Sequence, residues 1–350
     1  MSARLVKGNE AVVQGALMGG ATHFFGYPIT PASEIAHAAA LYFPQAGRCF
    51  LQAESEVASI NMVYGAASAG ARAMTATSGP GLSLMAEGLS YLAGAELPSV
   101  IVDVQRAGPG LGNIWPEQSD YASVVKGGGH GSYRNVVLAP STAQEMCDFA
   151  YRAFDIADRY RVTVVILSDA YVGQMMEPVE VPATALHGAR KSWAVYADRE
   201  SRDRLVTSIL MSPTLLERHN QALQAKYRKM EAELVQYEES SVEDAEALIV
   251  AYGITARVAQ SALGRLRSRG VRAGLLRPLT LFPFPAARIR ELARGGRLRA
   301  VIAAELSAAQ MAEDVELAVA GALPVLRLGW YGGVVPSEAE MAERVIAEMP

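Results

Sequence analysis

The chain has 350 residues, 51% of them hydrophobic and 19% charged, and its 32 basic and 36 acidic side chains leave a formal charge of −4. That length suits about two domains with large cores, and the near balance of charge offers no electrostatic attraction to nucleic acid or to an anionic membrane surface. Two cysteines, Cys49 and Cys147, build neither a disulfide framework nor a four-thiolate cluster; with no apolar run of about 18 residues and no secretory core near the start, the sequence predicts a cytoplasmic protein.

In chain order, strand-length apolar runs at 23–27, 49–52, 72–77, 99–105, 135–139 and 162–168 alternate with helical-period segments at 34–43, 55–69, 82–94 and 143–160. Such alternation predicts a parallel sheet covered by helices on both faces, with ligands held beyond the carboxyl ends of the strands. Residues 182–244 are more polar and read as a linker. Within them Leu216, Leu223, Met230 and Tyr237 recur at heptad spacing, with Tyr227 and Leu234 interleaved, as on one face of a charged helix. That face either packs on its own domains, the simpler reading, or pairs in an intermolecular coiled coil. Farther on, ALIVAYG, VRAGLLR, RAVIAAE and PVLRLG predict four more strands with helices between. The expected division is 1–181, 182–244 and 245–350.

The strand-to-helix loops hold the residues suited to chemistry. GYPITPASE (26–34) predicts a helix start with Thr30 as N-cap and Pro31 in the first turn; a hydroxyl and free N–H groups there can also face an anion. In QAESEVASI, Glu54 and Glu56 open an alanine-rich helix. Their charge suits the helix dipole, yet a carboxylate against so apolar a surface needs a partner, and a heteroaromatic ring nitrogen is a suitable one. In TATSGPGLSLM, Gly79 and Gly81 flank Pro80 and let a strand turn sharply into a helix whose backbone can approach a ligand. The dinucleotide fingerprint G-x-G-x-x-G and the P-loop are both absent. In VDVQRAGPGLGNIWPEQSDY a strand ends at Arg106, whose planar fork suits a carboxylate. KGGGHGSYR follows, and His130 in so flexible a stretch reads first as a structural hydrogen-bonder.

In this order GYPITP, QAESEVASI, ATSGPGLSLM, QRAGPG and EQSDY, then VAYGITAR, LRPLTLFPFP, AELSAAQMAEDV and GGVVPS, closely resemble the alpha subunit of 2-oxoacid:ferredoxin oxidoreductases over nearly the whole chain. The layout is most similar to the short alpha subunits of the branched-chain (2-oxoisovalerate) type, with the 2-oxoglutarate type as neighbour. The resemblance implies an α/β fold: a pyrimidine-type thiamine-diphosphate-binding parallel-sheet domain, then a transketolase C-terminal-like α/β domain. It implies an enzyme, active only with its partner, that decarboxylates a 2-oxoacid on thiamine diphosphate, transfers the acyl group to coenzyme A and passes two electrons to ferredoxin. A beta subunit is expected to carry the Mg²⁺–diphosphate half of the site and a [4Fe–4S] cluster, and gamma and delta subunits complete many such complexes. This chain agrees with that division, having neither a cluster cysteine set nor a Gly-Asp-Gly motif.

Residue by residue, the resemblance gives Glu56 the hydrogen bond to the aminopyrimidine ring, where a carboxyl group sharing a proton with the ring nitrogen favours the reactive imino tautomer. It gives Thr30 contact with the oxo and carboxylate groups of the substrate and Arg106 the pairing with that carboxylate. Tyr27, Pro28, Ser78 and Gly79 fall in the cofactor-binding motifs, and no metal ligand is expected on this chain. Departures from the commoner pattern are Ser307 and Ala309 in place of Asn and Gly, and Ala107 in place of Gly. Asn113, Ile114 and Trp115 are individual to this chain. The apolar Ile114–Trp115 pair suits a branched or aryl side chain, because a distal carboxylate needs another cation; Arg134 can supply one for 2-oxoglutarate. Two further readings are a split non-oxidative thiamine-dependent decarboxylase, marked by the lack of coenzyme A-dependent reduction, and a non-catalytic scaffold, marked by indifference to changes at Glu56.

Overall fold

Apolar runs without alternation belong in strands covered on both faces, and the computed structural model, which describes residues 3–350, places them so. The first block runs β1 (Arg4–Lys7), α1 (Gly8–Met18), β2 (His23–Gly26), α2 (Ser33–Gln45), β3 (Cys49–Gln52), α3 (Glu56–Ser68), β4 (Ala73–Thr77), α4 (Gly79–Gly94) and β5 (Ser99–Gln105). After a glycine-rich loop come α5 (Tyr121–Val125), β6 (Val136–Leu138), α6 (Ala143–Tyr160), β7 (Thr163–Asp169), α7 (Ala170–Gln174) and β8 (Met176–Val179). A long connection leads to α8 (Pro213–Leu234), β9 (Tyr237–Ser240), β10 (Ala247–Val250), α9 (Gly253–Ser268), β11 (Ala273–Pro278) and β12 (Thr280–Phe282). The chain closes with α10 (Ala286–Arg294), β13 (Ala300–Glu305), α11 (Gln310–Val319), β14 (Val325–Gly329) and α12 (Glu338–Glu348).

All the predicted strands form. The larger sheet has the order β12-β6-β7-β5-β4-β2-β3 and the smaller β14-β13-β10-β11-β9. In the larger, β5 and β7 lie at the centre, paired in parallel from Ser99↔Thr163 to Gln105↔Asp169, and every residue of both is buried. From β2 the chain crosses to β3 on one side and then returns to β4 on the other. That reversal opens a crevice at the carboxyl ends of β2 and β4, where parallel α/β sheets hold ligands. Arg72, buried just before β4, pins the sheet to α6 through Asp155 (2.5 Å) and Asp158 (2.9 Å).

Four strands have no counterpart among the sequence expectations. β1 and β8 form a separate antiparallel ribbon, Arg4↔Val179 to Lys7↔Met176. β9, inside the expected linker, pairs antiparallel with β11 of the second sheet. β12, inside the expected last domain, pairs antiparallel with β6 of the first. The second sheet thus takes one strand from the expected linker, and the first takes one from the expected last domain.

The heptad face of α8 packs on its own chain: Leu223, Tyr227 and Met230 are buried, while Leu216 stays exposed and Tyr237 begins β9. Polar bonds fix it there, with His219 Nε2 at 2.8 Å from the Gly94 carbonyl and Lys226 on Glu96 at 2.9 Å.

Candidate active site

Glu56 is the first residue of α3, behind Ser55, whose Oγ accepts the Ala58 N–H at 3.2 Å. Only 5% exposed, its side chain lies across the first turn of α4. A Cβ on Gly81 would stand 2.6 Å from Glu56 Oε1 and 2.1 Å from Thr77 Oγ1, and one on Gly88 would stand 2.5 Å from Ile60. Two glycines on α4 thus let it meet α3 at side chains four residues apart, one turn of helix. Among the described residues no donor reaches the Glu56 carboxylate. Close by, Ser78 caps α4 by position yet makes no side-chain cap bond, and its hydroxyl and that of Thr75, one pleat behind Thr77, are buried without partners. The result is a cradle made of a carboxyl group, unpartnered hydroxyls and a helix N-terminus.

Arg106 sits at the end of β5 and donates from Nη1 to the Thr30 carbonyl (2.8 Å) and from Nη2 to the Leu111 carbonyl (3.1 Å). Its Nε is buried without a partner, and among the described residues no carboxylate forms an ion pair with it. Thr30 and Arg106, 76 residues apart, are brought together. Thr30 is not the N-cap expected: α2 begins at Ser33, and Ala32 holds the cap position in helical conformation. The cause lies on α1, where Asn9 Nδ2 donates to the Pro31 carbonyl (3.0 Å) and to Glu34 (3.1 Å), so this stretch forms a turn before the helix. Thr30 stays exposed, as does Tyr27, with Pro28 half-buried on the same loop.

The loop after Arg106 closes on itself, Ala107 N–H donating to the Trp115 carbonyl (2.9 Å) and Asn113 N–H to the Ala107 carbonyl (3.0 Å). Buried Glu117 holds it by accepting the Gly108 N–H (2.7 Å), and Asn113 Nδ2 ties it to the Gly332 carbonyl (3.0 Å) of the second block. A cleft of about 760 Å³ opens inside, lined by Gly79, Pro80, Arg106, Leu111, Glu117, Asp120, Gln310 and Tyr331 among others. Ile114 and Trp115, 51% and 62% exposed, stand on the outer turn of the loop and do not line this cleft; Leu111 and Tyr331 do. Arg134 is not there either: it borders a second cleft of about 670 Å³ with Lys126 and Phe282. His130 lies exposed beside Tyr91, its carbonyl accepting the Ser90 hydroxyl at 2.6 Å.

EQSDY turns out to bind the two blocks together. Gln118 donates to the Tyr252 carbonyl (2.9 Å) and accepts from Thr255 (2.8 Å) and the Leu306 N–H (2.9 Å); the Ser119 carbonyl accepts from Gln310 (2.7 Å); Tyr121 donates to Asp314 (2.6 Å). Asp120 faces Gly79, where a Cβ would stand 2.9 Å from Oδ1. Burial, reinforced by Glu117 and offset by Asp103 and Arg106, pushes Asp120 up to about 6. Sequence reasoning passed over Asp103 and Asp120, as well as Asn9. On the far side of the cleft, Ala309 has φ +66° and ψ +38°, the left-handed region that a glycine would enter without strain. Next to it Ser307 donates to Glu305, which caps α11 by accepting the Met311 and Ala312 N–H groups, each at 2.9 Å.

The chain matches the family model described as "Pyruvate flavodoxin/ferredoxin oxidoreductase, thiamine diP-bdg" over residues 14–247, and that of "Pyruvate:ferredoxin oxidoreductase core domain II" over residues 245–341. It is 56% identical to the ketoisovalerate oxidoreductase subunit VorB of Methanothermobacter thermautotrophicus, over 99% of this chain and 97% of that protein. It is 42% identical to the 2-oxoglutarate synthase subunit KorA of Archaeoglobus fulgidus, over 90% and 91% of the two chains. Among solved structures it superposes on the 2-oxoglutarate:ferredoxin oxidoreductase of Magnetococcus marinus, determined with 2-oxoglutarate, coenzyme A and succinyl-CoA bound, with a TM-score of 0.90 at 28% identity. The match covers all of this chain and 66% of that longer one.

Proposed function

The chain belongs to the pyruvate flavodoxin/ferredoxin oxidoreductase family, the 2-oxoacid:ferredoxin oxidoreductases, and from that premise we propose that it is the alpha subunit binding the pyrimidine half of thiamine diphosphate for coenzyme A-dependent oxidation of a 2-oxoisovalerate-type acid. The observation that carries this reading is the Glu56 side chain, only 5% exposed in a glycine-made cradle, with a carboxyl that no donor among the described residues reaches. A carboxyl so placed has its hydrogen-bonding capacity free for a ligand. The residues fit the aminopyrimidine: Glu56 would face its ring nitrogen and Tyr27, Pro28, Ser78 and Gly79 would border the cofactor, the Ser78 hydroxyl being a buried polar atom with no partner among the described residues.

Thiamine diphosphate, when bound, supplies the nucleophilic carbon and the electron sink for decarboxylation. Glu56 would share a proton with the ring nitrogen, and the apolar helix beside it would strengthen that hydrogen bond. Arg106 presents a guanidinium hydrogen-bonded only to carbonyls, with no carboxylate in ion-pair contact among the described residues, so it can pair with a substrate carboxylate. Thr30, whose carbonyl accepts from Arg106, would orient the oxo group beside that guanidinium. A ring of exposed apolar side chains on the elements that carry the site, among them Tyr27, Leu51, Val57, Leu84 and Leu111, supports a partner surface closing over it. We assign to that partner, a beta subunit, the Mg²⁺–diphosphate half and a [4Fe–4S] cluster, with gamma and delta subunits and ferredoxin completing the path of the electrons. Among the described residues no helix is long and apolar enough to cross a membrane, and none of the His, Cys, Asp and Glu groupings could hold a metal ion; we assign the complex to the cytoplasm.

The charge of the cleft favours a monocarboxylate. Among its described lining residues Arg106 is the one cation, set against Glu117 and Asp120, and Arg134 stands in another cleft. A second carboxylate there meets like charge, which costs several kcal/mol, well beyond a factor of about ten in specificity. Ile114 and Trp115 remain in this proposal as outer contacts of a bulky substrate once the partner covers the loop. The test is a substrate panel on the assembled complex with a low-potential acceptor. Coenzyme A-dependent reduction with 2-oxoisovalerate ahead of 2-oxoglutarate is expected. Preference for 2-oxoglutarate would move the assignment to that type, and carbon dioxide release without reduction would make the complex a non-oxidative decarboxylase.

A further inference from the structure

We propose that Asp103 and Asp120 form a proton-sharing carboxyl pair in the floor of the cleft, and that the pair takes up a second proton when an anionic 2-oxoacid binds Arg106. The second half of this inference rests on reading the cleft as the 2-oxoacid site; the first half does not.

Parallel pairing of β4 and β5 sets Asp103 opposite Thr77 at the carboxyl end of the central strands, fully buried under the start of α4. Both of its carboxyl oxygens, and Oδ2 of Asp120, are buried, and among the described residues no donor reaches them. The two side chains are neighbours, each carboxyl standing in the other's immediate surroundings. Two carboxylates have only acceptors, so they bond to each other only when a carboxylic O–H lies between them. Burial raises Asp103 well above the ordinary aspartate range, which makes it the donor and Asp120 the acceptor.

The surroundings give the pair its consequence. Asp120 faces Glu117 within its own stretch, Arg106 at the end of β5, Asp103 beneath, and the Tyr252 phenol at the start of α9. Across Gly81 and Thr77 stands Glu56. With both aspartates and Glu117 ionised, Arg106 would be outnumbered by three carboxylates, and an arriving anion would be repelled. One shared proton leaves an excess of a single negative charge; a second proton cancels it. Binding of an anion beside Asp120 therefore favours protonation of Asp120, and by linkage protonation favours binding. In the free cleft Asp120 acts as the internal counter-charge of Arg106, and it gives up that charge as the substrate carboxylate takes its place. Asp103 and Asp120 are positioning residues, acting on the substrate through Arg106.

The experiment is the pH profile of kcat/KM for 2-oxoisovalerate in the assembled complex, with coenzyme A and electron acceptor saturating. The wild type is expected to lose up to tenfold per pH unit above about 6, the free-state value of Asp120. In D120N the profile flattens over the same range, and kcat/KM on the alkaline side rises above that of the wild type. In D103N the slope persists, because the amide N–H₂ donates to Asp120 as the acid does. A wild-type profile flat above about pH 6, or a D120N profile keeping the wild-type slope, would overturn the linkage. The shared proton is read separately, without turnover, by infrared spectroscopy of the full chain carrying ¹³C-carboxyl aspartate. A protonated-carboxyl band persisting to neutral pH in the wild type and lost in D103N is expected, and its absence in the wild type would refute the pair. A complex inert to every 2-oxoacid yet showing this band would reject the functional reading and the linkage together while leaving the pair standing.

Discussion

The glycine cradle beneath Glu56 makes a demanding prediction. In Gly81→Ala the new Cβ would stand 2.1 Å from Thr77 Oγ1, 2.6 Å from Glu56 Oε1 and 2.7 Å from Glu56 Cγ. Thr77 is β-branched and buried in the sheet, so the start of α4 must shift away from it and the flexible Glu56 side chain must yield by roughly 1 Å to reach an ordinary contact near 3.5 Å. Overpacking of this kind costs about 1–3 kcal/mol, partly offset by about 1 kcal/mol from replacing a helical glycine with alanine. The net loss of stability is thus modest, about 0–2 kcal/mol. The loss of activity is larger, because a displacement of about 1 Å in a catalytic group costs about 10²-fold. The assay is single-turnover release of carbon dioxide from a 2-oxoacid by the assembled complex, beside thermal unfolding of the same preparation. Gly65→Ala is the control: it lies on exposed α3 surface with open space around its Cβ, and should gain about 0.5–1 kcal/mol with activity unaltered. A Gly81→Ala complex releasing carbon dioxide at the wild-type rate would refute the reasoning about how Glu56 is held.

Three further outcomes concern stability. Arg72→Ala leaves Asp158 with only Lys191 and breaks the anchor between β4 and α6, so it should cost about 3–5 kcal/mol, read as a lowered denaturant midpoint. Ala309→Gly relieves a left-handed alanine and should raise Tm, corresponding to up to about 1 kcal/mol. Asp169, fully buried and accepting the Tyr171, Val172 and Ile254 N–H groups, is raised by burial to about 6. Its folded value lies above its unfolded one, so its contribution is present below about pH 4 and is lost as pH rises through about 6. The difference in unfolding free energy between wild type and Asp169→Asn should therefore fall by about 3 kcal/mol across that window.

Much of this was legible in the sequence because parallel strands and their loops announce themselves locally. VILSD and SVIVDVQ read as doubly covered strands, and an acid ahead of an alanine-rich helix marked Glu56 as unusual. Elements whose partners are remote gave no such signal: β1 and β8 are each four residues long and meet across almost the whole first block, and the polar YEES of β9 becomes a strand only beside β11. The helix at 34–43 was read to within a residue of the start of α2, but its N-cap was placed at Thr30 because the bonds from Asn9, on another helix, that hold 31–34 in a turn leave no local signal. Asp103 looked like one polar residue in an apolar strand, and Asp120 like part of a loop; their contact depends on the register of β4 and β5 and on the seating of EQSDY against the second block. Ile114 and Trp115 drew notice as large apolar residues in a loop, but a closed loop has an outside as well as an inside, and composition does not distinguish them.

In the proposed function the Glu56 carboxyl completes its hydrogen bond with the pyrimidine of thiamine diphosphate. Glu56→Gln in the assembled complex, with carbon dioxide release followed at saturating cofactor and substrate, tests it most directly. The amide keeps the shape of the side chain but cannot share the proton, so kcat should fall by about 10²–10⁴-fold while the subunits still assemble. Near-normal release of carbon dioxide by that complex would contradict the account.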